Sequence, residues 1–211
     1  MTKVFKAIFF TYLLSLSWIT VAQKSSTGNP NLDQLRSYFE KGMMFQAQLN
    51  HMFIDAYTKD TTRTFGEIWI DKYRYKIQLK SGTIFVDGKN SYVYNKEKNQ
   101  VVISTYNPEE DDYAPSRILY GSLTSYSIKT SSSKNNKTTI VLTSDDPFAL
   151  FSRVDIDLNS KAIPTKINVL DQGENRIIST FTSGKFVAIN GSAFSINYPK
   201  SAELIDLRKN K

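Results

Sequence analysis

The stretch YRYKIQLKSGTIFVDGKNSYVYNKEKNQVVISTY, residues 73–106, decides the fold class. Its first eight residues alternate between large apolar and polar side chains, which is the two-residue period of a strand with one buried face. The Asp87–Gly88 pair then supplies a turn between two short apolar runs, and a further β-rich run follows. The stretch therefore predicts four consecutive strands, at Tyr73–Lys80, Thr83–Val86, Tyr92–Asn95 and Gln100–Tyr106.

Similar runs continue on both sides of this stretch. Segments rich in β-branched and aromatic residues recur about every 8–12 residues, with turn residues between them. This spacing favours a meandering antiparallel sheet, barrel or sandwich. The additional predicted strands are Phe45–Tyr57, Thr64–Asp71, Thr124–Lys129, Thr138–Thr143, Arg153–Leu158, Thr165–Leu170, Arg176–Thr182 and Ala193–Tyr198.

Two segments depart from the strand pattern. Between Pro30 and Lys41 the apolar residues recur at three- and four-residue spacing, which predicts a short amphipathic helix that ends at Gly42. The segment Asn107–Gly121 contains two prolines and four consecutive acidic residues, and it predicts an insertion with a short helix after Pro115. A long insertion of this kind in an all-β meander often covers a binding site.

These elements predict a mainly β fold with a small helical content. A sheet of this size must bury one face, and two short helices can cover only part of that face. The remaining space would be a concavity lined by aromatic and aliphatic side chains, which is the usual form of a small-molecule site.

The composition excludes several functional classes. The chain has 27 basic and 20 acidic residues, a net charge of +7, and the basic excess is scattered instead of forming the stripe typical of nucleic-acid binding. Such a mildly basic surface suits an anionic membrane surface or an acidic partner equally well. The absence of cysteine excludes disulfides, thiolate catalysis, Cys-ligated zinc and iron–sulfur clusters, and also a lipid anchor on this chain itself.

The N-terminus has the three parts of a secretory signal. Lys3 and Lys6 form a positive region, an apolar region follows, and small residues precede Gln23. We expect a signal peptide over residues 1–22, cleaved after Ala22, and a polar linker over residues 23–31. The apolar region is short and interrupted for a spanning helix of about 20 residues, and no second apolar span follows, so the mature protein is expected outside the cytoplasm.

Catalytic motifs are sparse. His51 is the single histidine, lies in a predicted strand beside apolar residues, and is interpreted as structural. Asp155 and Asp157 could act as a glycosidase pair, but they share one strand face and are interpreted as solvent-facing. The Glu109–Asp112 run lacks the spacing of an EF-hand and is interpreted as a solvated loop or a docking patch. We expect no catalytic residues, no metal and no cofactor.

The chain resembles the LolA-type outer-membrane lipoprotein carriers. The resemblance rests on an ordered set of motifs: a Gly-hydrophobic strand, an aromatic-rich strand, a hydrophobic-x-Asp-Gly turn, an aromatic-x-Tyr strand and a Gln-Val pair. In this chain they are Gly66-Glu-Ile-Trp69-Ile, Tyr73-Arg-Tyr75, Ile84-Phe-Val-Asp87-Gly88-Lys, Tyr92-Val-Tyr94-Asn and Gln100-Val-Val, followed by looser matches at Ile167–Gly173, Phe194–Pro199 and Leu204–Asp206.

The resemblance implies an open antiparallel half-barrel over residues 32–211, covered by short lid helices around a hydrophobic cavity. It also implies a monomeric carrier, not an enzyme, that takes acylated lipoproteins from an inner-membrane lipoprotein-releasing ABC transporter to an outer-membrane acceptor. The residues expected to line the cavity are Ile68, Ile70, Tyr73, Tyr75, Ile77, Leu79, Ile84, Val86, Tyr92 and Tyr94, and those expected on the lids are Leu35, Phe39, Ile118 and Leu119.

One departure from the family pattern concerns the lid. The best-known branch carries an Arg-Pro pair just after the Gly-hydrophobic strand, and that arginine helps to hold the lid. Here the strand is followed by Asp71, Lys72 and Tyr73, without an Arg-Pro pair. Lys72 could take its place but lacks the bidentate fork of an arginine, so lid gating by that arginine is not carried over.

Three other functions are compatible with the sequence. A periplasmic binder of the same half-barrel fold could sense free lipid or mislocalised lipoproteins and signal to a regulatory partner. A secreted carbohydrate-active enzyme would use Asp155 and Asp157 or the Glu109–Asp112 run. An envelope interaction protein with a filled barrel would have no cavity and would bind no acyl chain.

Overall fold

The computed structural model describes residues 27–111, 113–121, 123, 125–134 and 136–208. The expected signal peptide, its cleavage site and most of the linker lie outside the described residues. The helices are α1 (Pro30–Glu40) and α2 (Pro115–Tyr120), with a 3-10 turn at Pro108–Glu110. The strands are β1 (Met43–Ile54), β2 (Thr61–Ile70), β3 (Tyr75–Leu79), β4 (Gly82–Val86), β5 (Asn90–Asn95), β6 (Gln100–Thr105), β7 (Ser127–Lys134), β8 (Lys137–Thr143), β9 (Phe151–Asn159), β10 (Pro164–Asp171), β11 (Arg176–Ala188) and β12 (Glu203–Asp206).

The strands form one open, curved sheet in the order β12-β6-β5-β4-β3-β2-β1-β11-β10-β9-β8-β7. Every pairing is antiparallel except that of β12, which runs parallel to β6. The prediction of a mainly β fold with an open half-barrel sheet and short helices is therefore confirmed.

A bulge bends the sheet where β1 meets β11. Ala47 of β1 faces both Ser183 and Gly184 of β11, because the register shifts between Gln46 and Gln48. Ser183 takes a left-handed backbone conformation with φ of 55°. The missing side chain of Gly184 leaves room for the Phe45 ring, since a Cβ there would lie 3.0 Å from it. Pairing with β1 resumes beyond the bulge, from Lys185 to Ala188, so β11 extends past the predicted end at Thr182.

Helix α1 forms where the sequence predicts it. The Asn29 side chain accepts hydrogen bonds from the backbone N–H groups of Asn31 and Leu32, and Pro30 occupies the first helical position, where its missing N–H costs nothing. The apolar face of α1 is buried against the sheet. Helix α2 also matches its prediction, and it ends at Gly121 with φ of 72°.

The two faces of the sheet are covered differently. The inner face packs against α1 and α2 and holds the main core, which includes Phe45, Ile70 and Val154. On the opposite face, the segment after β11 lies across the middle strands and places Ala193 and Phe194 in a smaller core with Met44 and Phe85.

The chain after β11 corrects one strand prediction. Residues 193–198, expected as a strand, form a turn and an irregular segment in which the adjacent residues Ala193 and Phe194 are both buried. A strand with one buried face would bury alternate residues, so this packing requires another conformation. The Asn190 side chain fixes the turn by accepting the Ala193 N–H at 2.8 Å. The last strand instead forms at Glu203–Asp206.

Candidate functional site

An apolar cavity of about 420 Å³ lies between the inner face of the sheet and the segment that leads into α2. Its volume is within the range of roughly 300–1,000 Å³ that small-molecule sites occupy. The cavity is lined by Leu49, His51, Phe53, Ile68, Ile77, Tyr113, Pro115, Ile118, Phe151, Ile167, Val169, Ile177, Ser179 and Phe181.

Exposure increases along the cavity towards one end of the sheet. Leu49 and Phe181 are each 5% exposed, whereas Phe53 and Ile177, further along the same two strands, are half-buried. Tyr113, at the start of the segment that leads into α2, is 49% exposed. The deep end of the cavity is therefore at Leu49, and its mouth is at the end of the sheet where β1 turns into β2.

Two polar side chains interrupt the apolar wall of the sheet. His51 on β1 and Ser179 on β11 are directly opposite each other, and His51 Nδ1 lies 2.9 Å from Ser179 Oγ. Both residues are half-buried and line the cavity. Burial lowers the pKa of His51 below its ordinary value, because the charged imidazolium loses hydration in this wall. The ring is therefore neutral at neutral pH.

We expect His51 to make stability pH-dependent. Because its pKa is lower in the folded state, the unfolded chain binds more protons below about pH 6.5, so stability falls as the pH is reduced from there towards the folded pKa. The stabilisation is complete above about pH 6.5. Urea denaturation of the wild type and of His51→Gln across this window measures the effect. The variant should lose less stability on acidification, and equal losses in both proteins would contradict the assignment.

Side chains of α1 fasten α2 over the sheet. Arg36 donates from Nε to the Tyr120 carbonyl and from Nη2 to the Gly121 carbonyl, both at 2.9 Å. Its guanidinium also lies 5.2 Å from the centre of the Tyr120 ring. These contacts satisfy carbonyl groups at the C-terminal end of α2, which the helix itself cannot pair. We call the contacts of Arg36, Tyr120 and Gly121 the α1–α2 clasp.

Lys72 connects the turn after β2 with both helices. Its ammonium lies 3.1 Å from the Glu40 carboxylate of α1 and 4.9 Å from the centre of the Tyr120 ring of α2. The Tyr120 hydroxyl also donates to Glu40. Hydrogen bonds with Tyr120 and Glu40 raise the pKa of Lys72 above its usual range. Lys72 thus lies against both helices.

A carboxylate anchors the insertion to the sheet. The Tyr75 hydroxyl on β3 donates to Asp111 Oδ2 at 3.1 Å, and the Tyr75 ring packs edge-on against Tyr106. Burial, with the nearby carboxylate, raises the pKa of both tyrosines, so both keep their protons. Asp111 is therefore bonded to the sheet, whereas the sequence predicted a solvated loop or a docking patch. Asp112 lies outside the described residues.

A second cleft, of about 620 Å³, lies outside α2 and differs in character. Its wall mixes the charged side chains of Lys72, Glu109 and Arg117 with aromatic rings, including those of Tyr73 and Tyr106. Its walls do not suit an acyl chain, since charged groups would lose hydration beside it. The apolar cavity is consequently the candidate site.

Three of the residues predicted from the sequence meet in the cavity wall: Ile68, Ile77 and Ile118. Five others face the same side of the sheet but lie outside the lining, namely Ile70, Tyr75, Leu79, Ile84 and Val86. Ile70 and Val86 are 0% and 1% exposed, so they are packed core and not cavity wall.

Tyr73 requires a correction. It lies in the turn between β2 and β3, is 68% exposed, and does not continue the alternation of the strand. The buried Asp71 carboxylate accepts the backbone N–H groups of Tyr73 at 2.9 Å and of Arg74 at 2.6 Å, which fixes a tight turn and delays the start of β3 to Tyr75.

Tyr92 and Tyr94 also require a correction, since they lie on the opposite face of the sheet. In the register of β4 and β5, Ile84 pairs with Val93, so the inner position between the two tyrosines belongs to Val93. Tyr92 stacks on Phe85 with ring centres 5.4 Å apart, and Tyr94 lies 6.3 Å from Tyr198 of the C-terminal segment. The aromatic residues of β5 thus serve the second core.

The predicted lid residues lie on α1 and α2 but do not all face the cavity. Ile118 lines it, whereas Leu35, Phe39 and Leu119 are 0%, 3% and 0% exposed and form the core beneath the two helices. They hold the helices on the sheet and do not line the space between them.

Much of the wall comes from strands that the sequence prediction did not assign to the site. Five lining residues lie on β10 and β11, three more lie on β1, and Phe151 begins β9. A usable signal was the two-residue period of these strands, which places Ile167 and Val169 on one face and Ile177 and Phe181 on one face. The missed residues of these strands are Leu49, His51, Phe53, Phe151, Ile167, Val169, Ile177, Ser179 and Phe181.

The acidic residues of β9 are paired. Asp155 lies 2.7 Å from Arg153, and Asp157 lies 2.7 Å from Lys137. Both face away from the buried positions of the same strand, as predicted, but Asp157 is only 8% exposed and is less open to solvent than expected. In the described part of the chain, no cluster of three or more histidine or acidic side chains could hold a metal ion. Neither helix described has the length and hydropathy of a membrane span.

The protein is an open half-barrel that is covered by two short helices and contains an apolar cavity. The model of one family, outer membrane lipoprotein carrier protein LolA, matches residues 44–197. The chain therefore belongs to the LolA family.

Solved structures of other proteins are similar to this fold. An uncharacterized conserved protein of Thermus thermophilus is similar with a TM-score of 0.54 and 12% identity, covering 83% of this chain and 96% of that one. A LolA superfamily protein of Nitrosomonas europaea has a TM-score of 0.45 and 10% identity, covering 81% and 98%. The search of curated proteins found no match.

Proposed function

We propose that the chain is a periplasmic carrier that binds the acyl chains of lipoproteins in the apolar cavity and shuttles them from an inner-membrane transporter to the outer membrane. The observation that carries this proposal is the cavity itself. Its wall holds eleven aliphatic, proline or phenylalanine side chains, and the other three lining residues are His51, Tyr113 and Ser179. Membership of a carrier-protein family supports the same assignment.

The energetics of an acyl chain explain why such a cavity is needed. Each methylene that leaves water contributes roughly 0.8 kcal/mol, so a lipoprotein with several acyl chains does not diffuse freely between membranes. A carrier must bind these chains better than water does but release them to a bilayer. A cavity that is buried at Leu49 and open near Tyr113 meets both requirements.

The helical cover suits reversible binding. Pro115 and Ile118 form part of the cavity wall, so a displacement of α2 would widen the entrance. The α1–α2 clasp and Lys72 hold α2 through polar contacts at its outer side. Such contacts can break and reform, although displacement of α2 would also uncover part of the core at Leu119. The proposed activity is therefore binding and release, with no catalytic step.

The first test is loading in the cell. Protein expressed in the periplasm is examined by native mass spectrometry, and purified protein is then added to spheroplasts that retain lipoproteins. We expect soluble, stoichiometric complexes with acylated lipoproteins but not with unacylated forms. A protein that emerges without acyl ligand and releases nothing would contradict the proposal. Complexes that form but never deliver cargo to outer membranes would instead favour the lipoprotein sensor.

A matched pair of variants locates the binding site. Ile77→Trp places a large ring in the cavity wall, whereas Gln78→Trp places it at the next, exposed position on the other face of β3. We expect Ile77→Trp to weaken acyl binding at least about tenfold, the equivalent of losing about two buried methylenes. Gln78→Trp should bind like the wild type. Equal binding by both variants would place the acyl chain elsewhere.

A further inference from the structure

The pair formed by His51 and Ser179 is a polar feature that an apolar carrier site does not require. Both residues lie on the sheet wall of the cavity, among branched and aromatic side chains. A purely hydrocarbon ligand would be bound as well by apolar residues at these positions, without the cost of removing an imidazole and a hydroxyl from water. The pair therefore indicates a polar group on the ligand.

The pair lies midway between the deep end of the cavity and its mouth. On β1, His51 lies one inward position from Leu49 at the deep end and one from Phe53 near the mouth. On β11, Ser179 lies in the same way between Phe181 and Ile177. Since a strand rises about 3.4 Å per residue, the pair lies about 7 Å from Leu49, so a long acyl chain with its carbonyl beside the pair would fold back within the cavity.

The contact with Ser179 orients the ring. Ser179 Oγ is 2.9 Å from Nδ1, so a hydroxyl that donates to Nδ1 leaves the proton of the neutral ring on Nε2. Nε2 is on the side of the ring away from Ser179. Among the described residues, no fully buried side-chain nitrogen or oxygen lacks a hydrogen-bond partner. The His51 ring is only half-buried, and it lies in the cavity wall. In that tautomer, Nε2–H can donate to a ligand.

We propose that His51, oriented by Ser179, donates from Nε2–H to the ester carbonyl of an acyl chain in the cavity, so that the site selects esterified acyl chains over hydrocarbon of the same length. This inference rests on the proposed carrier function and names the chemical group that its site recognises. A buried carbonyl without a donor is costly, so a site that supplies the donor gains selectivity of about tenfold. The lowered pKa of His51 supports a neutral donor.

The test compares two ligands that differ in one carbonyl. Methyl palmitate carries the ester, and hexadecyl methyl ether has the same skeleton without the C=O group. Each displaces a fluorescent lipid probe from the mature chain. We expect the wild type to bind the ester about tenfold more tightly than the ether. His51→Phe should bind the ester and the ether equally, and His51→Gln should restore part of the preference through its side-chain N–H group.

Each outcome has a distinct meaning. Equal binding of ester and ether by the wild type, or an ester preference that persists in His51→Phe, would overturn the assignment of His51 while leaving the carrier function standing. Failure of the wild type to bind either ligand, with the probe also unbound, would instead contradict the carrier function. The partial preference restored in His51→Gln controls for folding, because it shows that the preference lost in His51→Phe depends on the side-chain donor and not on a collapsed cavity.

Discussion

Replacing Phe45 with alanine is expected to lower the free energy of unfolding by about 3–5 kcal/mol, the typical cost of removing a buried aromatic ring. Phe45 is 0% exposed and lies on the inner face of β1. Its ring packs edge-on against Phe181 at 5.3 Å and lies 5.5 Å from Phe186. Urea denaturation at constant pH measures the loss.

The surroundings of Phe45 make this cost difficult to avoid. The backbone of β11 bulges beside the ring at Gly184, so the space left by the ring is bounded by a conformation fixed by hydrogen bonds. Phe186 also stacks on Tyr38 of α1, with ring centres 4.4 Å apart. Loss of the Phe45 ring therefore affects both the sheet and the surface on which α1 packs. Neither can collapse freely into the gap.

Phe65→Ala is the matched control. Phe65 belongs to the neighbouring strand β2 and is 61% exposed. The same substitution there should change stability by about 0.5 kcal/mol or less. A loss below about 1 kcal/mol for Phe45→Ala would mean that the core repacks around the missing ring.

The fold was predictable because its strands carry a clear period. The alternation of apolar and polar residues through Tyr75, Ile77 and Leu79 appears in the structure as three inward-facing positions of β3. Helix α1 was predictable for a similar reason, since a helical apolar period coincides with an N-terminal proline. Both signals are local, so they require no knowledge of what the element packs against.

The site was less predictable because the choice of sheet face depends on distant segments. In β5, Tyr92, Val93 and Tyr94 are all apolar enough to be buried, so the period alone does not tell which face is inward. The C-terminal segment settles this by covering the face that carries the tyrosines. That segment follows β5 by about a hundred residues, and its contacts leave no local pattern.

The same reasoning applies to His51. As an isolated residue in an apolar strand it was interpreted as structural, and its contact with Ser179 does fix its ring. What the sequence could not show was that β11 pairs with β1 in a register that brings the two side chains together in a cavity wall. Pairing between strands so far apart in sequence is set by the whole sheet.

Opening the α1–α2 clasp is the second large effect we expect. Helix α2 has six residues, too few to be stable alone, so its position depends on its contacts. A charged hydrogen bond contributes about 1.5–3 kcal/mol, and the Arg36 guanidinium makes two at partly exposed positions. After allowance for that exposure, Arg36→Ala should raise the equilibrium constant for local opening of α2 by about 30–100-fold, or about 2–3 kcal/mol.

Hydrogen exchange at the backbone amides of α2 measures this opening directly. The Ile118 N–H, which donates to the Ala114 carbonyl at 3.2 Å, should exchange faster in Arg36→Ala by the same factor. Amides in the middle of β1 and β2 should keep their protection, because the clasp does not touch them. Arg36→Lys is the matched variant: it keeps the charge but loses the planar fork, so its exchange should lie nearer to that of alanine than to that of the wild type.

The same variant connects the clasp to cargo transfer. If α2 covers the cavity entrance through Pro115 and Ile118, faster opening should accelerate both loading and release of an acyl probe while its equilibrium affinity changes much less. Stopped-flow measurement of probe association and dissociation resolves the two rates. Faster amide exchange without faster probe kinetics would show that the acyl chain enters past the sheet edge and not beneath α2. Unchanged exchange in Arg36→Ala would mean that Lys72 and the apolar contacts of Leu119 hold the helix without the clasp.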